Sequence, residues 1–292
     1  MKLGMVGLGK MGANMAERLR GAGHEIVGYD HSPDHRDVDS LEAMVKALDG
    51  SPRVAWVMVP AGDPTEGVVT ELGELFAEGD VIVDGGNSKY LDSARRAEQV
   101  AEKGIGFIDC GTSGGVWGRE NGYCLMVGGS GEDVAKVQPV FDALKPPDGG
   151  FAHVGPVGAG HYAKMVHNGI EYGLMQAYAE GYAILNAVDM DLDALAAFKA
   201  WRHGSVVRSW LLDLLAAALE ENPGLEGIRG RAADSGEGRW TVNEAVRLAV
   251  PAPVISSALF ARFASRIDDD PAMKVIAALR NQFGGHAVEL HE

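Results

Sequence analysis

Residues 1–30 read MKLGMVGLGKMGANMAERLRGAGHEIVGYD. A short apolar run, Lys2–Val6, enters the turn Gly7-Leu8-Gly9-Lys10-Met11-Gly12, and a helical pattern with Met11, Met15 and Leu19 on one face leaves it. A second apolar run, Glu25–Tyr29, ends at Asp30, eighteen positions after Gly12. Forty of the 292 residues are glycine, so G-x-G-x-x-G by itself carries little weight. Strand, glycine turn, helix, strand and acid in that order carry much more.

Each glycine of such a turn meets a separate demand. The first makes the tight turn, the second lets backbone approach a pyrophosphate, and the third lets helix and strand pack closely. The helix start then offers unpaired N–H groups and a positive dipole end to phosphate. We therefore expect Gly7, Leu8, Gly9, Met11, Gly12 and Asp30 to bind a nicotinamide dinucleotide. A carboxylate at Asp30 would accept from the adenosine ribose hydroxyls and repel a 2′-phosphate, which predicts NAD, with NADP less favoured.

Working outward, Val54–Val59, Val81–Asp84, Ile105–Asp109 and Cys124–Val127 read as further short strands. Met11–Arg20, Leu41–Leu48 and Asp92–Lys103 have helical spacing between them. Such alternation predicts a Rossmann-type, doubly wound α/β domain over residues 1–155. The run KPPDGG, residues 145–150, can continue neither helix nor central strand. Beyond it come only helical patterns: His161–Asn186, Asp191–Trp201, Ser205–Glu221, Trp240–Leu248, Val254–Ser265 and Ala272–Phe283. Residues 156–292 are thus expected to form an all-helical substrate-binding and oligomerisation domain, small enough for its apolar faces to need a partner subunit.

Composition excludes several classes. A hydrophobic content of 46% with 23% charged residues is that of a globular protein. A net charge of −15 argues against nucleic acid or an anionic membrane as partner. No apolar run approaches a membrane span, and the N-terminus does not read as a signal peptide. Two cysteines, Cys110 and Cys124, without metal-type spacing fit a reducing, cytoplasmic compartment. The nine histidines show no ligand spacing, so no metal is expected; His31 and His35 read as solvated loop residues.

In the second half, Lys164, His167, Asn168 and Glu171 stand at i, i+3, i+4 and i+7, on one helix face. Lys164 and Glu171 are two turns apart, about 10 Å along the axis, a gap two long side chains can close around a small substrate. Met165, Ile170 and Leu174 on the opposite face suit a core. Spacing alone leaves two readings open, a catalytic face and a solvated polar stripe.

These segments resemble the 6-phosphogluconate dehydrogenase family, the decarboxylating branch of the β-hydroxyacid dehydrogenases. The resemblance rests on GLGKMG, Asp84-Gly85-Gly86-Asn87-Ser88, Gly111-Thr112-Ser113-Gly114-Gly115, the stretch Lys164–Tyr172 (KMVHNGIEY), Gly236–Thr241 (GEGRWT), Phe260-Ala261-Arg262, and Arg280–His286 (RNQFGGH). It implies oxidation and decarboxylation of 6-phosphogluconate to ribulose 5-phosphate and CO2. Lys164 would be the general base and Glu171 the acid that protonates the enediol. Asn168, His167, Ser113, Gly114 and Gly115 would hold hydroxyls and carboxylate, and Asn87 would sit between cofactor and substrate. Tyr172, Arg239, Arg262, Arg280 and His286 would grip the phosphate.

A lysine acts as base only when its pKa is drawn well below its free value, and guanidinium forks suit phosphate. The resemblance is to the family's short form, a homodimer or homotetramer in which C-terminal residues reach a neighbour's site; Arg280 and His286 would then serve a partner. Arg239 stands where the long forms carry Lys. Asp30, and Pro60 after Val59 in the cofactor region, stand where NADP-using members differ, and both favour NAD. Two rivals remain: a dehydrogenase of a short hydroxy acid that shares Lys164, and a non-catalytic dinucleotide sensor.

Overall fold

The computed structural model describes residues 1–289; the last three positions of the expected helical domain lie outside them. The first half alternates strand and helix. The strands are β1 (Lys2–Val6), β2 (Glu25–Tyr29), β3 (Val54–Val57), β4 (Val81–Asp84), β5 (Gly106–Ser113), β6 (Cys124–Gly128) and β7 (Phe151–Gly155). Helices α1 (Lys10–Gly21), α2 (Leu41–Ala47), α3 (Asp63–Leu75), α4 (Tyr90–Ala101), α5 (Gly118–Asn121) and α6 (Gly131–Leu144) lie between them. The second half holds α7 (Ala159–Ala187), α8 (Ala194–Trp201), α9 (Trp210–Glu221), α10 (Glu237–Leu248), α11 (Pro253–Ala264) and α12 (Pro271–Gly284). Two compact units result, Met1–His167 and Asn168–Glu292, and the division falls within α7.

In the first unit one seven-stranded sheet runs in the order β2-β1-β3-β4-β5-β6-β7. All neighbours are parallel except β5 and β6. The central strands are short and apolar throughout because helices cover both faces. One face buries Leu3, Met5, Trp56, Val83 and Phe141; the other buries Val6, Met44, Val57, Leu72 and Ile82. Chain order reverses between β1 and β3, which opens a crevice at the carboxyl ends of the strands.

Three details differ from expectation. β3 stops at Val57, and residues 58–61 turn away to line that crevice. β5 continues past Asp109 to Ser113, because Cys110–Ser113 pair with β6. β7 has no signature in the sequence, since its middle residues are exposed and glycines flank it.

The second unit has small cores. Tyr172, Ala258 and Leu259 form one, and Phe198, Leu212 and Leu219 another. Ile170 and Leu174, expected in a core, are 54% and 42% exposed; only Met165 of that trio is buried. Among the described residues the cover on that face of α7 reaches Met165 but not Ile170 or Leu174. Val246, Val254, Phe260, Ile276 and Leu279 are exposed as well. No helix among the described residues is long and apolar enough to cross a membrane.

Candidate active site

The crevice at the strand ends is a cleft of about 710 Å³. Its walls come from the loops after the first four strands and from the end of β5: Gly7, residues 9–12, Asp30, Val59, Pro60, Asn87 and Thr112 among them. The three glycines act as their positions demand. Gly7 has φ +90°, open to glycine at little cost. A methyl group at Gly12 would overlap the Gly7 carbonyl oxygen, so only glycine lets α1 sit this close to β1. A methyl at Gly9 would meet nothing within 4 Å. That is the free approach a pyrophosphate needs, and no side chain caps the start of α1. The donor set therefore fits a dinucleotide.

Asp30 sits at the far wall. Its Oδ2 accepts from Leu8 N–H at 2.6 Å and its Oδ1 from Ser32 N–H at 2.8 Å. Burial works to raise its pKa, but these two amides, aided by His35 and His31, hold it below the usual carboxylate value. The acid is thus charged and fixed in place. The basic side chains nearby face other carboxylates: Arg20 pairs with Asp37 at 2.9 Å and Arg36 with Asp39 at 2.9 Å. Leu8 itself does not line the cleft; its side chain is in the core and only its N–H serves the site, through Asp30. Met58, Gly85, Gly86 and Thr112 line it without having been expected. His31, read as solvated, is exposed and also borders the cleft.

A buried ionic cluster underlies two of the loops. Arg96, 1% exposed, donates to fully buried Asp84 and to Ser88 Oγ, each at 3.3 Å, and to the Gly62 carbonyl at 3.2 Å. It also meets Glu66 at 3.0 Å, whose other partner is the bidentate fork of Arg95. Loops 58–62 and 84–88 are thereby tied to one guanidinium on α4.

Lys164, half-buried on α7, lies against β5: a Cβ at Gly111 would overlap the Lys164 Cβ. Gly111 precedes Thr112 on the cleft wall and Ser113, which ends β5. Gly114 and Gly115 follow at positive φ. His167, Asn168 and Glu171 continue along the same half-buried face of α7.

Within the second unit, Tyr172 is buried and Arg262 stacks on it, with the guanidinium carbon 3.5 Å from the ring centre. The Tyr172 hydroxyl accepts from Ser235 N–H at 3.1 Å. Gly238 makes room for this ring, since a Cβ there would meet it at 2.6 Å. Arg239 lies over Phe263 and commits its fork to Asp234, at 2.7 and 3.1 Å. Three of the five expected phosphate contacts thus gather around α10 and α11. Arg280 and His286 stand apart, exposed at the end of α12 and just beyond it. Among the described residues no cluster of His, Cys, Asp or Glu is arranged to hold a metal ion.

A doubly wound domain with a dinucleotide cleft, followed by a helical region, defines a nicotinamide-dependent oxidoreductase. Two family models cover nearly all of the chain: the NAD binding domain of 6-phosphogluconate dehydrogenase matches residues 2–146, and the 6-phosphogluconate dehydrogenase C-terminal domain matches residues 160–292. The chain belongs to the 6-phosphogluconate dehydrogenase family. It is 42% identical over 298 residues to the NAD(+)-dependent, decarboxylating 6-phosphogluconate dehydrogenase of Haloferax volcanii, covering 99% of this chain and 98% of that one. It is 35% identical to the NAD(+)-dependent, decarboxylating enzyme of Bacillus subtilis, covering 92% of this chain but 62% of that longer protein. Among solved structures, Plasmodium falciparum 6-phosphogluconate dehydrogenase superimposes with a TM-score of 0.83 at 26% identity, covering 100% of this chain and 67% of that one.

Proposed function

We propose that the protein oxidises and decarboxylates 6-phosphogluconate to ribulose 5-phosphate and CO2, with NAD preferred over NADP. The observation that carries the reading is the seat of Lys164 against Gly111, beside Thr112 on the wall of the dinucleotide cleft. A lysine stem seated there supports an amine that serves the cleft in which a hydride is delivered.

Bound NAD supplies the hydride acceptor for C3 of the substrate. Lys164 takes the proton of the 3-hydroxyl. As an ammonium it then stabilises the enolate oxygen that develops when the 3-keto acid loses CO2. Glu171, two turns along α7, gives a proton to the enediol carbon left by CO2, the former C2 of the substrate and C1 of ribulose 5-phosphate. Asn168, His167, Asn87 and the Ser113-Gly114-Gly115 turn orient the hydroxyls and the carboxylate. Tyr172, Arg239 and Arg262, with Arg280 and His286, take the phosphate. The NAD preference rests on Asp30, charged and held by two backbone amides.

The exposed apolar residues of α7, α10, α11 and α12 support assembly as a homodimer or homotetramer. The test is steady-state turnover of 6-phosphogluconate with each cofactor in turn, following reduced nucleotide and CO2 together. Equal yields of both, with the larger kcat/KM for NAD, are expected. Oxidation without CO2, or no turnover at millimolar substrate, rejects the reading.

A further inference from the structure

The first turn of α7 touches the sheet backbone to backbone. A Cβ at Gly160 would come within 2.5 Å of the Asp109 and Met126 carbonyl oxygens, and one at Gly128 would meet the Pro156 oxygen at 2.6 Å. Glycine on both sides permits this approach. At its centre is Asp109, fully buried on β5. Its Oδ1 accepts from Gly158 N–H at 2.6 Å, and its Oδ2 from His161 N–H at 2.7 Å. The first amides of a helix have no partner within it. Here a carboxylate from another element takes two amides at the start of α7, and its charge faces the positive end of the helix dipole.

A second tie lies alongside. The His161 side chain is buried, and its Nδ1 is 2.7 Å from Ser93 Oγ on α4 and 4.0 Å from Asp109 Oδ2. Tyr90, also on α4, meets Tyr162 edge to face at 5.0 Å. Asp109 pairs in register with Asp84 across β4 and β5. One turn along α4 from Ser93, Arg96 binds that Asp84. A single helix therefore engages one of two neighbouring buried carboxylates directly and reaches the other's partner: through Arg96 and Asp84 it holds the cleft loops, and through Ser93 and His161 the start of α7 that Asp109 binds. Lys164 is three residues beyond His161.

We propose that Asp109, with the Ser93–His161 pair, is the positioning device for Lys164, fixing the first turn of α7 so that the amine stays in register with the dinucleotide cleft. This rests on the reading of Lys164 as the base. Two amides bound by one carboxylate fix both the height and the rotation of the helix start. Gly111 then sets how closely the Lys164 stem approaches β5. Such placement matters because an error of about 1 Å can cost about a hundredfold in rate.

The test is single-turnover reduction of NAD by 6-phosphogluconate in a stopped-flow instrument. The amplitude reports the fraction of folded, competent enzyme, and the rate constant reports the hydride step. Asp109→Asn keeps the shape but sets an N–H donor against one of the two amides. It is expected to lower the rate constant at least about tenfold while NAD affinity is retained. Ser93→Ala and Gly111→Ala should lower it in the same direction, and they carry the test if Asp109→Asn does not fold. A reduced amplitude with an unchanged rate constant in these variants overturns the proposal, as does wild-type behaviour. Lys164→Ala separates the two readings. Turnover within about tenfold of wild type removes the base assignment itself. An inactive Lys164→Ala beside wild-type-like Asp109 and Ser93 variants removes only the positioning role.

Discussion

The Leu8 amide donates to the Asp30 carboxylate across a 22-residue separation, at 2.6 Å. This bond joins the glycine turn to the end of β2, and with the Ser32 amide it leaves Asp30 little freedom to swing aside for a 2′-phosphate. On the proposed NAD reading, replacing Asp30 with Ala removes the repulsion and the ribose acceptor together. The ratio of kcat/KM for NAD to that for NADP should fall at least about tenfold, a change of about 1.4 kcal/mol. Most of it should appear as weaker use of NAD, because Arg20 and Arg36 remain paired with Asp37 and Asp39. Steady-state kinetics with both cofactors checks this; an unchanged ratio would count against Asp30 as the selector.

Arg96 and Asp84 are a different case, a pair with almost no access to water. Removing one member leaves the other charged and buried, typically at a cost of about 3–5 kcal/mol. Arg96→Met should therefore lower the unfolding free energy by about that amount, read from urea titration. In the enzyme that still folds it should also weaken NAD binding, because loops 58–62 and 84–88 lose their common anchor. Arg96→Lys should recover part of the stability but not the three-way tie among Asp84, Ser88 and Gly62.

These two pairs show what was legible beforehand. Asp30 could be assigned from spacing, because a strand, a glycine turn and an acid recur at fixed separations for a local geometric reason. The Lys164–Glu171 face could be read because helical period is local too. In the sequence Asp84 and Asp109 each follow an apolar run, Val81–Asp84 and Ile105–Asp109, and a lone carboxylate in a buried strand needs a partner. That was a signal, but their partners, Arg96 on α4 and the amides of α7, are fixed only by tertiary packing. Ile170 and Leu174 were misplaced for the same reason: period assigns a helical face, not the element that covers it.

Glu66 gives a prediction for acid stability. Arg95 holds its carboxyl at about 2, against the opposing effect of burial and with further help from Arg96. A carboxyl whose folded value lies below its unfolded one contributes stability above the unfolded value, and that contribution is lost as pH falls toward the folded one. The contribution of Glu66 is therefore complete above pH 4.5 and disappears between pH 4.5 and about 2. Glu66→Gln should flatten the fall in unfolding free energy across that window and lower stability at neutral pH. Because Glu66 is partly solvated, the neutral-pH loss should stay nearer that of a surface ion pair than of a buried one. Denaturant titrations at a series of pH values measure both.

The two thiols should differ sharply. Cys110 is fully buried, and burial pushes its thiol far above the ordinary value, so it is protonated at any working pH. Cys124, at the start of β6 opposite Ser113, is exposed. Reactivity follows thiolate and access together. A chromogenic disulfide should modify Cys124 alone in the native protein, and both only after unfolding. Rapid modification of Cys110 under native conditions would mean that β5 opens locally, which the pairing of Asp109–Ser113 with β6 argues against.

An Arg262 variant tests the proposed phosphorylated substrate against a short hydroxy acid. The Arg262 guanidinium carbon is 3.5 Å from the Tyr172 ring centre, so the pair presents a cation beside a phenol held by Ser235. If this cluster takes the phosphate, Arg262→Ala should raise KM for 6-phosphogluconate at least about tenfold with KM for NAD nearly unchanged, since a lost charge-assisted contact is worth about 1.5–3 kcal/mol. Arg262→Lys should recover only part, because an ammonium cannot stack and donate along two parallel bonds as the planar fork does. Loss of Tyr172 packing alone would instead lower the melting temperature and leave KM near its original value in the enzyme that remains folded. An unchanged KM at full stability would point to a substrate without a phosphate, and turnover of a short hydroxy acid by the same variant would identify it as the rival activity.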